Sequence, residues 1–355
     1  MRVVVAMSGG VDSSVAAAEL VAAGHDVIGL SMQLYDQRPD GADTFGSCCS
    51  LDDLQDARRV AHALGIPHYI VNFQEQFEAT VVRNFVGEYA AGRTPIPCVH
   101  CNADLKFAHL VERAEAFNAT AVATGHYARV EFDEIAGRYR LLRGADPDKD
   151  QSYFLFSLNQ AQLARALFPV GHLAKPDVRA IADRLGLAVA RKPDSHEICF
   201  VPDGDAGGFV ARHLEHEIPT GEIVQADGTV LGQHRGIHRY TVGQRKGLGL
   251  SSGTPMYVLR LEPSANRIVV GPEGDLGGYD LTAGDVNWIA GAPPDAPRRL
   301  TARIRHRHAD APGLVTPIGQ ADARFRFDAP QRAITPGQAV VFYDGPEVVG
   351  GGWIR

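Results

Sequence analysis

The sequence predicts an α/β protein of three parts. These are an N-terminal parallel-sheet domain over residues 1–203, a small mixed α/β middle domain over 204–275 and a C-terminal β-barrel over 276–355. Three observations predict it. From residue 1 to about 125, short apolar runs alternate with helical patterns, the β-α-β order that implies a parallel sheet with helices on both faces. After about residue 203, glycine and proline become frequent and short β-rich runs dominate. The chain has 355 residues, more than one ordinary core holds, so two or three domains are expected.

The elements follow in order. Val3-Val4-Val5-Ala6 reads as a buried first strand, and Val15–Val21 as a helix. Val27–Met32 is a second strand. Leu51–Leu64 is an amphipathic helix whose Asp52, Asp53 and Asp56 suit the positive end of its dipole. His68–Asn72 is a third strand, with helical stretches expected near 74–91 and 103–117. Ala119–Gly125 is a fourth strand ending on Gly-His. Residues 130–142 read as a hairpin, 146–151 as a polar loop, and two helices are expected up to about residue 186. Beyond residue 203 the β-rich runs are 222–224, 256–259 and 267–270, and the same texture continues from Asp280 to the end.

Between the first strand and first helix lies Met7-Ser8-Gly9-Gly10-Val11-Asp12-Ser13-Ser14. A Gly-rich turn entering a helix aims several backbone N–H groups at one point, a cradle for an anion. Glycine lets backbone approach closely and tolerates positive φ. The serines add hydroxyls, and Asp12 is a carboxylate able to hold a metal. The loop lacks the Gly-Lys-Ser/Thr of a Walker A motif, so no lysine within it serves a phosphate. An ordinary strand–helix turn is the plain alternative. Ser-Gly-Gly-x-Asp-Ser at the end of strand one resembles the pyrophosphatase loop of enzymes that split ATP into AMP and pyrophosphate. Ligands in parallel sheets bind at the carboxyl ends of strands, where this loop, Met32 and Gly125 fall.

No apolar run approaches a membrane span, and the chain enters a strand at once with no visible signal peptide. The expectation is a cytoplasmic protein. Five cysteines there are expected to be thiols, catalytic groups or metal ligands rather than structural disulfides. A net charge of −7 argues against a nucleic-acid partner, but local fields matter more. Basic residues cluster at 234–246 and 298–308, both in the C-terminal half. In the second cluster Arg303, Arg305 and Arg307 alternate, and on a strand they would form one positive row. A solvated face is the bland reading, and RNA the sharper one.

Cys98-Val99-His100-Cys101 follows Pro95-Ile96-Pro97, and Asn102 is a candidate cap for the next helix. Cys101 would then lie just before a helix N-terminus, which favours a thiolate, with Arg93 and Lys106 near in sequence. Cys199 comes from a second loop after Pro193. Two spaced cysteines plus a distant one suit sulfur redox chemistry, a three-thiolate metal centre, or three unrelated thiols. The adjacent Cys48-Cys49 reads as buried or as an approach to a helix.

Together these motifs resemble the bacterial tRNA-specific 2-thiouridylase family over essentially the whole chain. The resemblance rests on Ala6–Ser13, Gly92-Arg93-Thr94-Pro95 leading to Cys101-Asn102, Lys106-Phe107, Ala123–Ala128, Lys149–Phe154, Asp194-Ser195 to Ile198-Cys199-Phe200, and Tyr240–Leu248. It implies an ATP-pyrophosphatase catalytic domain, with ATP bound by Ala6, Met7, Ser8, Gly9, Gly10, Val11, Asp12 and Ser13, and by Met32 and Gly125 at the adenine and ribose side. Mg²⁺ would offset the phosphate charge near Asp12. The implied reaction adenylates O2 of the wobble uridine (position 34), after which sulfur attacks C2 and AMP departs. Cys199 carries that sulfur as a persulfide. Cys101 releases it, leaving a Cys101–Cys199 disulfide.

The resemblance also implies tRNA contacts at Ile96, Pro97, Cys98, His126, Lys149, Asp150, Gln151, Arg305, His306 and Gln338, with the base flipped out to reach the pocket. It implies a sulfur-donor protein as partner, and a monomer is the simplest expectation. Many members have an aspartate three residues before the first catalytic cysteine, where this chain has Cys98. That departure raises a second route, in which Cys98, Cys101 and Cys199 hold a [4Fe–4S] cluster with one open iron. Two other classes compete: an ATP-pyrophosphatase synthetase or amidotransferase adenylating a small-molecule carbonyl, and an RNA-binding module with a degenerate loop.

Overall fold

The computed structural model describes residues 1–35, 51–194, 198–201, 203–214, 216, 219–251 and 253–355. Its first sheet is parallel, in the order β3-β2-β1-β4-β7: β1 Arg2–Ala6, β2 Asp26–Gln33, β3 His68–Asn72, β4 Ala121–Ala123 and β7 Ala166–Leu167. Helices α1 (Val11–Ala22) and α2 (Leu51–Ala63) join the first strands. Val3 and Val5 face one core with α1 and α2, while Val4 faces the other, as alternation along a strand requires.

The stretch expected as two helices before residue 186 holds one long helix, Lys175–Arg184, and a turn at Gln160–Leu163. The residues between them include β7. Only pairing with β4 makes Ala166-Leu167 a strand, so two residues left no periodic signal of it. The expected helix near 74–91 is present as Gln74–Phe77, a π-helical turn Glu78–Val82, and α3 Arg83–Ala90. The helix expected from 103 begins earlier, at Pro97. It runs as Pro97–His100, a π-helical segment Cys101–Phe107, and α4 Ala108–Ala116.

The 130–142 hairpin forms as β5 (Ala128–Asp133) and β6 (Arg138–Arg143), but it does not extend the first sheet. Val348 and Glu347 of the last strand pair with Leu141 and Leu142. The hairpin is thus sewn onto the C-terminal sheet, tying the first part of the chain to the last.

The middle part carries helix Ala206–His213 and a four-stranded mixed sheet, order β10-β11-β8-β9: β8 Gly221–Gln225, β9 Val230–His234, β10 Tyr257–Glu262 and β11 Arg267–Gly271. Ile223, Val258, Ile268 and Val270 fill its core. The C-terminal part is a closed six-stranded barrel: β12 Gly277–Trp288, β13 Arg298–Arg303, β14 Ala311–Ile318, β15 Asp322–Arg332, β16 Ala339–Asp344 and β17 Glu347–Ile354. Pairing of β12 with β17 closes it, so none of the six is left with a bare edge along its length. Phe325, Phe327, Phe342 and Trp288 pack its interior.

Arg303 ends β13, and residues 304–307 form a bend and turn. The alternating arginine row is therefore not a strand face. Arg299 pairs with Asp328, Arg298 with Asp344, and Arg303 with Asp310 and Asp150, so much of the expected positive charge is neutralised locally. In the other cluster His234 and His238 are buried, leaving Arg235, Arg239, Arg245 and Lys246 exposed. No helix among the described residues is long and apolar enough to cross a membrane.

Candidate active site

The strand–loop–helix expected at the N-terminus is present. Gly9 has φ 73°, and a Cβ on it would collide with the Asp53 carbonyl, so only glycine fits. Gly10 caps α1 in an extended conformation. The Ser13 hydroxyl accepts from Ser8 N (3.2 Å) and donates to Gly10 O (3.2 Å), and Ser14 Oγ donates to Gly10 O (2.8 Å). Those two hydroxyls close the loop on itself, while Ser8 remains exposed. Gly125, just past β4, backs onto the α1 N-terminus: a Cβ there would stand 2.5 Å from Ser13 N. The side chains of Met7, Val11 and Met32 are buried in the cores, so any nucleotide contact there falls to backbone, as at Ala6 on the end of β1.

The loop lacks a lysine of its own, yet two arrive from far along the chain. Lys175 Nζ lies 2.8 Å from both Asp12 oxygens and 2.8 Å from Asp194 Oδ1. The Tyr127 hydroxyl donates to Asp12 Oδ1 at 2.7 Å. Lys192 bonds Gly9 O (3.1 Å), Asp53 (2.5 Å) and Asp56 (2.7 Å), clamping α2 to the loop. Asp194 also takes Lys149 at 2.8 Å and Arg179 at 3.0 Å. Burial works to raise its carboxyl, but the Lys149 and Lys175 bonds and charges overcome this and hold it at about 2. Sequence reasoning missed Lys175, Lys192, Tyr127 and Asp194 as parts of one site. A faint signal exists: Lys-Pro-Asp occurs at both 175–177 and 192–194. Hard carboxylate oxygens suit Mg²⁺ held jointly with substrate phosphates, and Asp12 is the loop's carboxylate, its oxygens here engaged by Lys175 and Tyr127.

The helix bearing the cysteines starts at Pro97, with Ile96 before it at φ −122°. Pro97 suits the first helical position, where a missing N–H costs nothing. Asn102 therefore does not cap. It is buried inside the helix, donating to Phe154 O (3.3 Å) and accepting from Lys106 (3.3 Å). Cys98, not Cys101, occupies the first turn. Cys98 is exposed, whereas Cys101 opens the π-helical segment and is 8% exposed. Cys101 belongs to a core with Phe77, Val81, Phe85, Phe200 and Met32, and Cys199 packs against that same core. The Tyr35 hydroxyl donates to Cys199 O at 3.1 Å.

Among the described residues no group of three His, Cys, Asp or Glu side chains is placed to hold a metal ion. Cys48 and Cys49 lie outside the described residues, as do Ser195–Glu197.

Several expected tRNA contacts converge. His306 Nε2 lies 3.2 Å from Asp150 O, and its ring packs on Phe154 at 4.5 Å. Arg305 donates to Arg332 O at 2.8 Å. The Asp150 side chain is only 1% exposed. It accepts from Arg143, Arg303, Gly144 N and Ser152 N, so it shapes the loop and is not open to a ligand. Gln151 Oε1 accepts from Tyr127 N at 3.0 Å. His126 bonds Thr124 Oγ1 at 2.8 Å, and burial together with the Lys106 charge pushes its imidazole down to about 3. Ile96 and Pro97 stand at the mouth of the Cys98 helix. Gln338, from the barrel, donates to Thr94 O (2.9 Å).

Family models match almost end to end: a tRNA methyl transferase HUP domain over residues 1–203, a tRNA methyl transferase PRC-barrel domain over 207–272 and an aminomethyltransferase beta-barrel domain over 279–354. The tRNA-specific 2-thiouridylase MnmA of Solibacter usitatus is 55% identical over 99% of this chain and 99% of that protein. Those of Acidobacterium capsulatum and Heliobacterium modesticaldum are 53% and 52% identical, each over 99% of this chain, and over 98% and 92% of their own lengths. A solved 4-thiouridine synthetase–RNA complex with bound ATP aligns with 57% of this chain and 45% of that one at 17% identity and TM-score 0.35, too slight a likeness to argue from. Two of the domain descriptions name methyl transfer, while the relatives matched end to end name thiolation. A Ser-Gly-Gly-x-Asp-Ser loop and two cysteines on one core suit the second. These relatives set aside both the small-molecule synthetase and the degenerate binding module. The chain belongs to the tRNA-specific 2-thiouridylase family and is a tRNA sulfurtransferase.

Proposed function

We propose that this enzyme adenylates O2 of uridine 34 with ATP and then replaces that oxygen with sulfur carried on Cys199. The observation that carries the reading is that Cys101, Cys199 and Met32, at the carboxyl end of β2, share one core. Two cysteines far apart in sequence thereby border the same core as the strand that ends near the nucleotide loop. Adenylation converts a poor leaving group into AMP, with pyrophosphate released. The outer sulfur of a Cys199 persulfide attacks C2 and AMP departs. The Cys101 thiolate then attacks Cys199 Sγ, forming the Cys101–Cys199 disulfide and freeing the C2 sulfur as 2-thiouridine. Mg²⁺, when bound with ATP, supplies charge neutralisation, and Asp12 is the residue to hold it. Lys149, Gln151, Arg305 and His306 form the RNA-facing rim, with Asp150 ordering it from beneath.

On this reading residues 1–203 are the catalytic part, 204–275 the middle part and 276–355 the barrel that meets tRNA. A sulfur-donor protein reloads Cys199, and one monomer meets one tRNA in the cytoplasm. The two-cysteine route needs only Cys101 and Cys199, whereas an iron–sulfur route would need Cys98 as well.

The test is nucleoside mass spectrometry of unmodified tRNA incubated with ATP, Mg²⁺ and a low-molecular-weight persulfide. Metal-free and iron-replete enzyme would be run side by side. Oxygen-to-sulfur exchange at uridine 34 in both supports the proposal. Exchange only with iron overturns the two-cysteine route, and exchange in neither overturns the reaction.

A further inference from the structure

The segment Gly92-Arg93-Thr94-Pro95-Ile96-Pro97 delivers the chain to the Cys98 and Cys101 helix. Two prolines remove N–H donors and no helix or strand claims residues 92–96, so their backbone groups need other partners. Gly92 N and Arg93 N bond back to Tyr89 O and Glu88 O of the preceding helix, whereas Thr94 and Pro95 find theirs in the other two parts of the molecule.

From the barrel, the turn at 335–338 presses on it. Thr94 N donates to Pro336 O at 2.9 Å. Gln338 Nε2 donates to Thr94 O at 2.9 Å and reaches Pro95 O at 3.5 Å. Gly337 has φ 88°, and a Cβ on it would stand 2.8 Å from Thr94 N. One turn later, His100 stacks on Trp353 of β17, centroids 4.6 Å apart and planes 3° from parallel.

From the middle part comes the Tyr240–Leu248 motif, whose purpose the sequence left open. Thr94 Oγ1 donates to Thr241 Oγ1 at 3.3 Å, and the Tyr89 hydroxyl at the end of α3 also bonds Thr241. Gly92 sits against Pro263, where a Cβ would stand 2.8 Å from its Cγ.

We infer that Gln338 and Thr241 are positioning residues for sulfur transfer: they grip Thr94–Pro95 from two sides and set the depth at which Cys101 is held in the core. The inference rests on the proposal that Cys101 is catalytic. It gives Gln338 a task distinct from touching tRNA, because its amide donates to the catalytic segment's own carbonyls.

Four variants in the full chain test it. Q338A removes the donor, and Q338E keeps the shape while turning an oxygen towards both carbonyls. T241V removes the hydroxyl from the other side, and T241S restores it. The first readout is the rate of Cys101 alkylation by iodoacetamide without tRNA, followed by site-resolved peptide mass spectrometry. A buried thiol reacts through local opening, so a loosened segment raises that rate. The second is steady-state thiolation, separating kcat from KM for tRNA.

Q338A, Q338E and T241V are expected to raise Cys101 alkylation at least threefold and lower kcat, with KM for tRNA within twofold of wild type. T241S is expected to match wild type in both. Wild-type alkylation rates in Q338A and T241V overturn the inference. A loss confined to KM for tRNA also overturns it and makes Gln338 a direct tRNA contact. Should one substitution prevent folding, the pair on the opposite side still decides the matter. Failure of the wild type to thiolate tRNA would refute the proposed reaction but leave the alkylation comparison intact.

Discussion

Replacing Lys175 by methionine keeps the length of a buried side chain and removes one ammonium. That ammonium is 9% exposed and sits 2.8 Å from both Asp12 and Asp194. Without it the two carboxylates face each other no more than about 6 Å apart. At an effective dielectric of about 20, like charges at that distance repel by about 3 kcal/mol. Removing one partner from a buried ion pair costs about 3–5 kcal/mol in general. Tyr127 still donates to Asp12, and Lys149 and Arg179 still hold Asp194, which offsets part of the loss. The expected destabilisation is about 3 kcal/mol, measured near neutral pH by urea unfolding followed by circular dichroism. Removing the second charge should relieve the first loss, so K175M/D194N is expected to be at least about 1 kcal/mol more stable than the sum of the single changes allows. A cost below about 1 kcal/mol for K175M, or strict additivity in the double variant, would refute the idea that Lys175 neutralises both carboxylates.

Three further outcomes are expected. C199A abolishes 2-thiouridine formation while tRNA-dependent release of pyrophosphate from ATP continues, and C98S keeps most thiolation; loss of both reactions in C199A would contradict the division of labour. G125A raises KM for ATP by about tenfold or more, since its Cβ meets Ser13 N and forces apart β4 and the nucleotide loop; unchanged ATP kinetics would remove Gly125 from the site. Asp194 titrates below its ordinary 3.8, at about 2, so its ionised form stabilises the fold above about pH 4 and that contribution disappears as pH falls towards 2. Acid unfolding of D194N should therefore depend less on pH across that window than wild type does, and identical curves would count against the Lys149 and Lys175 pairing.

Local chemistry made some of this protein legible in one dimension. The strand–loop–helix at 2–22 announces itself because Gly9 and Gly10 follow a run of valines and precede a helical pattern, all within a few residues. The β-rich change after residue 203 and the spacing of Cys98 and Cys101 are equally local. What stayed hidden was set by partners far away. Ala166-Leu167 is a strand only because β4 lies beside it. The 128–143 hairpin reads the same whichever sheet it joins, and Glu347 and Val348, distant in sequence, decide that it joins the last strand. Asn102 reads as a cap until Pro97 begins the helix earlier and Phe154 claims its amide.

The cast of the site divides the same way. The amino-acid order by itself determined the nucleotide loop, the sulfur-bearing residue types and the three-part architecture, because each depends on short-range periodicity, turn chemistry or composition. Only tertiary structure decided that Lys175 and Lys192 serve a loop 163 and 183 residues before them, that Asp150 is buried rather than presented, and that Gln338 and Thr241 hold the segment before Cys98. Charge pairing and burial act through space and fall off over a few ångströms, so the sequence separation of such partners leaves no pattern along the chain.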